Sequence, residues 1–121
     1  MKDIEVFVIQ EDYINSHEYF LVSRTPKYEM YCINLSKLYK GYKSYLFSHT
    51  DDVFESYSYI LIEDKDVLFD EDINKYIKKV FEKSNEILER AKLYDKEKEY
   101  EEIINCTREQ YGIIMENTNG N

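Results

Sequence analysis

Tryptophan is absent from this chain, and 121 residues hold one proline, one alanine and three glycines. Gly41, Gly112 and Gly120 fit neither the GxxxxGK[ST] phosphate loop nor the GxGxxG dinucleotide turn. Those motifs use glycine so that backbone amides can approach a phosphate closely. P-loop nucleotide hydrolysis and Rossmann-type dinucleotide binding are therefore set aside. Long apolar runs are missing as well. The longest, such as Val6-Phe7-Val8-Ile9, cover four residues, against the roughly 20 that a spanning helix needs. The opening Met1-Lys2-Asp3-Ile4-Glu5 lacks the apolar stretch of a signal peptide, so a cytoplasmic location and no membrane contact are expected.

Cysteine occurs twice, as Cys32 and Cys106. Without a secretory signal, two free buried thiols are expected rather than a disulfide. His17 and His49 are the other soft ligands, and none of the four stands at CxxC or HxxxH spacing. Asp64, Asp66, Asp70 and Asp72 have the acid density of a calcium loop but lack its glycine and its bidentate glutamate. No metal and no cofactor are expected.

What is abundant is isoleucine, lysine and tyrosine, thirteen of each, with eight asparagines. These residues have AT-rich codons, which points to a low-GC bacterium or one of its phages and discounts part of the tyrosine excess. The formal net charge is −9. Residues 1–64 carry six basic and eleven acidic side chains, and residues 65–121 carry ten and fourteen. The excess is thus spread over the whole chain. Such a surface disfavours direct nucleic-acid binding and anionic membranes, and favours a basic protein partner. Its plainer use is solubility.

The pattern changes near Asp64. Before it come short runs of strand character at 4–10, 19–23, 28–34, 45–48 and 57–63, in which Ile60 and Ile62 form one apolar face. Leu35, Leu38, Tyr39 and Tyr42 follow helical spacing, and Gly41 is placed to close that helix. After Asp64, Asp70 is an N-cap with Glu71 and Asp72 in the first turn. Ile73, Ile77, Val80, Ser84, Ile87, Ala91 and Tyr94 then recur at steps of four and three, and the stripe restarts out of phase at Tyr100. The expectation is a single α+β domain. A mostly antiparallel sheet of four to five strands (4–64) precedes two long helices (71–94 and 97–116) paired as a hairpin, with a flexible tail at 117–121. The helical stripe is long for so small a sheet, so a homodimer through the C-terminal helices is expected.

Three functions are weighed. The first is a binding protein that engages and inhibits a protein partner, as an antitoxin, an immunity protein or a phage inhibitor of host defence does. Its anchors are Tyr39, Tyr42 and Tyr45, with charge from Asp51, Asp52 and Glu55, because tyrosine offers large contact area at low entropy cost. Lys37, Lys40 and Lys43 interleave with those tyrosines in the one locally basic stretch. The second is an oligomer that sequesters a small nucleotide, with Arg90 and Arg108 on the phosphate and Tyr76, Phe81 or Tyr94 stacking the base. The third is a small hydrolase using His49 with Asp51 or Asp52 as general base and orienting carboxylate. A polar capping loop accounts for the Ser48–Asp52 segment more simply, and no enzyme activity is expected.

Overall fold

The structure, a computed structural model, describes residues 4–24, 30–49, 57–61 and 70–119, with side chains described except at 30, 47–49, 57–61 and 113–119. The chain is α+β. Its strands are β1 (Glu5–Asp12), β2 (His17–Arg24), β3 (Met30–Asn34), β4 (Leu46–His49) and β5 (Tyr57–Leu61). Its helices are α1 (Leu35–Lys40), α2 (Glu71–Glu82), α3 (Ser84–Lys92) and α4 (Glu97–Asn119). The strands form one antiparallel sheet in the order β4-β3-β2-β1-β5. Its heart is the three-stranded β3-β2-β1 ladder, flanked by β4 and β5.

Period-two alternation gives the ladder two apolar faces. Val8, Leu21 and Ile33 lie in register on one face, and Phe7, Val22 and Cys32 on the other. Helices cover the first. Ile73, Ile77 and Val80 of α2, Ile87 and Ala91 of α3, and Tyr100, Ile103 and Ile104 of α4 are buried against Val8, Leu21 and Ile33. Each fully buried Ile, Leu or Val contributes on the order of 1.5–3 kcal/mol relative to exposure. Phe7, Ile9, Phe20, Val22 and Cys32 form a second buried cluster on the opposite face.

Local chemistry sets the helix ends. Asn34 Oδ1 accepts from the Lys37 amide at 2.9 Å and starts α1. Gly41 closes it at φ 87°, in the left-handed region that glycine enters without a Cβ clash. Asp70 Oδ1 accepts from the amides of Asp72 and Ile73 at 3.0 Å each, and so starts α2.

The expected helix 71–94 is corrected to two. It breaks at Lys83 (φ −103°, ψ 19°), resumes at Ser84 and ends at Lys92. Ser84 and Asn85 compete with helical hydrogen bonds, and Ser84 is the polar gap in the stripe. Leu93–Asp95 form the turn into α4, with Asp95 at φ 59°, a conformation that aspartate tolerates better than most residues. Among the described residues no helix is long and apolar enough to cross a membrane. Ile60 and Ile62 lie outside the residues whose side chains are described.

Candidate functional site

Two surface features stand out, and a row of rings links their bases. The first lies between α1 and α2. Tyr39 leaves the exposed side of α1 and meets Tyr76 of α2, ring centroids 4.9 Å apart. Tyr76 meets Tyr19 of β2 at 5.9 Å, and Tyr19 meets His17 at 5.0 Å. Tyr39 is thereby held against the scaffold while remaining 38 % exposed. Lys75 Nζ lies 4.8 Å and Lys79 Nζ 5.7 Å from the centre of its ring, within cation–π range. With Glu71, Asn74, Lys78 and Glu82 these residues line an open groove of about 460 Å³. Partial desolvation works against the Lys75 ammonium, yet Tyr39 and Asp72 hold its pKa above the ordinary lysine value.

The second feature is the tip of the β1–β2 hairpin. Eight residue pairs, from Glu5↔Arg24 to Asp12↔His17, lock the two strands. The Tyr13 amide donates to the Ser16 carbonyl at 2.7 Å and closes the turn. Ile14 at its apex is 98 % exposed and Tyr13 51 %. Partial burial, then the charges of Glu18 and Glu11, push the Tyr13 phenol pKa up, so two carboxylates lie near this ring. Asp12 is exposed beside it and accepts from Gln10 Nε2 at 2.8 Å.

Of the expected protein-binding anchors, Tyr39 and Tyr42 are exposed, Tyr42 by 58 %. Tyr45 is corrected: it is 1 % exposed and cannot act as a surface anchor. Its carbonyl accepts from the Asn34 amide at 2.7 Å, which draws the chain after Gly41 back into the core. Burial pushes its phenol pKa up to about 12, Glu86 adding to the shift and Arg90 opposing it. Asp51, Asp52 and Glu55 lie outside the described residues, as does the side chain of His49. The hydrolase grouping therefore falls there too.

The nucleotide set is divided among three aromatic partners. Arg90 lies 5.8 Å over Tyr45, Arg108 lies 5.2 Å over Phe81, and Tyr76 belongs to the groove beside Tyr39. Phe81 also meets Tyr111 edge-on at 5.8 Å. Tyr94 is 65 % exposed at the α3–α4 turn, next to Leu93. The stripe expected to leave apolar surface for a second copy is turned inward at Ile73, Ile77, Val80, Ile87 and Ala91.

Cys32 and Cys106 are buried thiols not joined in a disulfide. Desolvation pushes the Cys32 thiol pKa up, away from the reactive thiolate. Among the described residues no group of three or more His, Cys, Asp or Glu side chains is placed to hold a metal ion.

Sequence reasoning passed over the hairpin tip. Its signal was the apolar pair Tyr13-Ile14 inside an otherwise polar connection, with no strand or helix pattern to bury it. Of the lysine groove only Tyr39 and Tyr76 were singled out, in two separate groupings. Lys75, Lys78 and Lys79 went unnoticed, because only folding brings them to Tyr39. No family model, no curated protein and no solved structure matches the chain.

Proposed function

We propose that this chain is a small binding protein without catalytic activity, which engages a basic protein partner and blocks it, in the manner of an antitoxin, an immunity protein or a phage inhibitor of host defence. One observation carries the reading: Ile14 stands 98 % exposed at the apex of a closed, fully laddered hairpin, beside Tyr13, which has Glu18 and Glu11 near it. An apolar anchor with a polar rim is the usual anatomy of a protein contact. The eight-pair ladder lowers the ordering cost on binding, which raises affinity for a given contact area. Asp12 and Glu18, backed by a net charge of −9, steer a basic surface toward the tip.

The reading is tested by capture from host lysate with tagged protein, comparing wild type with Tyr13→Ala/Ile14→Ser. Wild type should retain a basic protein that the variant loses, while the variant's melting temperature stays within about 3 °C, as expected for exposed positions. Equal recovery by both would move the contact away from the hairpin.

A further inference from the structure

We propose that the groove between α1 and α2 binds a small phosphorylated sugar, nucleotides included, with the phosphate among Lys75, Lys78 and Lys79. This site is separate from the hairpin tip and does not depend on it.

The charge arrangement comes first. Glu71, Lys75, Lys78 and Glu82 follow one another at four-, three- and four-residue spacing, so they share the outer stripe of α2. Cations thus occupy the middle of the groove and a carboxylate stands at each end. Lys75 pairs with Asp72 at 3.4 Å and Lys79 with Glu82 at 3.7 Å. Lys78 makes no ion pair among the described residues, and the same holds for Lys37, Lys40 and Lys43 on and just after α1. Elsewhere on the helical layer Lys83, Lys92 and Lys96 each have a carboxylate within 4.0 Å, whereas Lys98 of α4 has none among the described residues. Three lysines and two glutamates thus line one groove beside Tyr39, and Lys78 is its one lysine with no ion pair among the described residues.

Two lysines held over one ring add direction. Lys75 and Lys79, four residues apart, repel each other as like charges, and the face of Tyr39 offsets part of that repulsion. A phosphate between their ammonium groups would remove the rest, and Lys78 would supply a third donor. Glu71 and Glu82 would accept hydrogen bonds from hydroxyl groups on either side, which selects a sugar phosphate over a bare anion. Tyr39 offers ring surface for a base where one is present.

The surrounding field disfavours polyanions. A groove of about 460 Å³ falls in the small-molecule range of roughly 300–1,000 Å³. A nucleic acid strand would have to track across an acidic surface, at a repulsive cost that grows with each phosphate.

The test is titration of the intact chain, followed by calorimetry and by amide shifts in α2, with ribose 5-phosphate, AMP and inorganic phosphate as probes. We expect ribose 5-phosphate or AMP to bind with Kd below about 1 mM. Lys75→Gln/Lys78→Gln should weaken that binding at least about tenfold, the scale of losing a charged contact. Lys98→Gln, an exposed lysine on α4, should leave it unchanged, and the melting temperatures of both variants should match wild type. AMP binding tighter than ribose 5-phosphate would place the base on Tyr39, within the same proposal. Inorganic phosphate binding as tightly as the sugar phosphates would overturn it, since the lysines would then merely be collecting counter-ions. No binding at 5-fold above that limit, or wild-type affinity in the double variant, would overturn it equally.

Discussion

The Tyr100 hydroxyl donates a hydrogen bond of 3.0 Å to the carbonyl oxygen of Cys32, joining α4 to the middle of β3 across 68 residues of sequence. Tyr31, the neighbour of Cys32, also meets the Tyr100 ring edge-on at 6.2 Å. One side chain thus ties the last helix to the sheet by a hydrogen bond and a ring contact. Tyr100→Phe keeps the ring and removes only the hydroxyl. It should cost about 1 kcal/mol, the usual net worth of a hydrogen bond, read as a shift of the urea midpoint at unchanged slope. An unchanged midpoint would mean that packing alone positions α4.

The two described glycines should respond to alanine in opposite directions. Gly41 caps α1 at φ 87°, where a Cβ is strained even though nothing lies within 4 Å of it. Gly41→Ala should cost roughly 1–2 kcal/mol. Gly112 lies exposed inside α4, and a Cβ there also meets nothing within 4 Å. Gly112→Ala should stabilise by roughly 0.5–1 kcal/mol. Thermal melts of the two variants shifting the same way would contradict the assigned backbone at one of them.

These caps and stripes were legible because they are local. Asp70 before an acidic first turn, Gly41 after a short apolar helix, and the doubly apolar β1 each follow from spacing a few residues long. What sequence could not show depends on the return path of the chain. Tyr45 sits among exposed-looking tyrosines, yet its backbone pairs with Asn34 and its ring goes inside. Lys75 and Lys79 are an ordinary solvated pair until α1 places Tyr39 beneath them. The break at Lys83 was missed because the apolar stripe runs on through Ile87 in nearly unbroken register, while the hydrogen-bond competition of Ser84 and Asn85 acts on the backbone.

Ile77 is fully buried between α2 and the sheet cluster. Ile77→Ala should cost roughly 2–5 kcal/mol, the range for emptying a packed core site. A melting temperature equal to wild type would show that α2 presents another face to the sheet.

Alkaline stability follows from two tyrosines. Burial, then Asp70 and Asp72, push the Tyr19 pKa up to about 12, and burial pushes Tyr45 to about 12 as well. The ordinary phenol value is 10.0. The native state therefore holds protons that the unfolded state has already released. The stabilisation from keeping these phenols neutral is fully present below pH 10 and is lost as pH rises from 10 toward 12. Phenolate absorbance should rise in a last, steep step that coincides with loss of the far-ultraviolet circular dichroism signal. Complete ionisation near pH 10 with the fold intact would contradict the burial of both rings.

The most direct test of the binding reading is the association and dissociation kinetics of the captured partner at two ionic strengths, for wild type, Asp12→Asn/Glu18→Gln and Tyr13→Ala/Ile14→Ser. Charges on the rim act on encounter and a desolvated apolar anchor acts after it. The account predicts that the charge variant slows association several-fold at low salt with little change in dissociation. It predicts that the apolar variant speeds dissociation at least about tenfold with little change in association. Wild-type rates in both variants would contradict the hairpin tip as the contact surface.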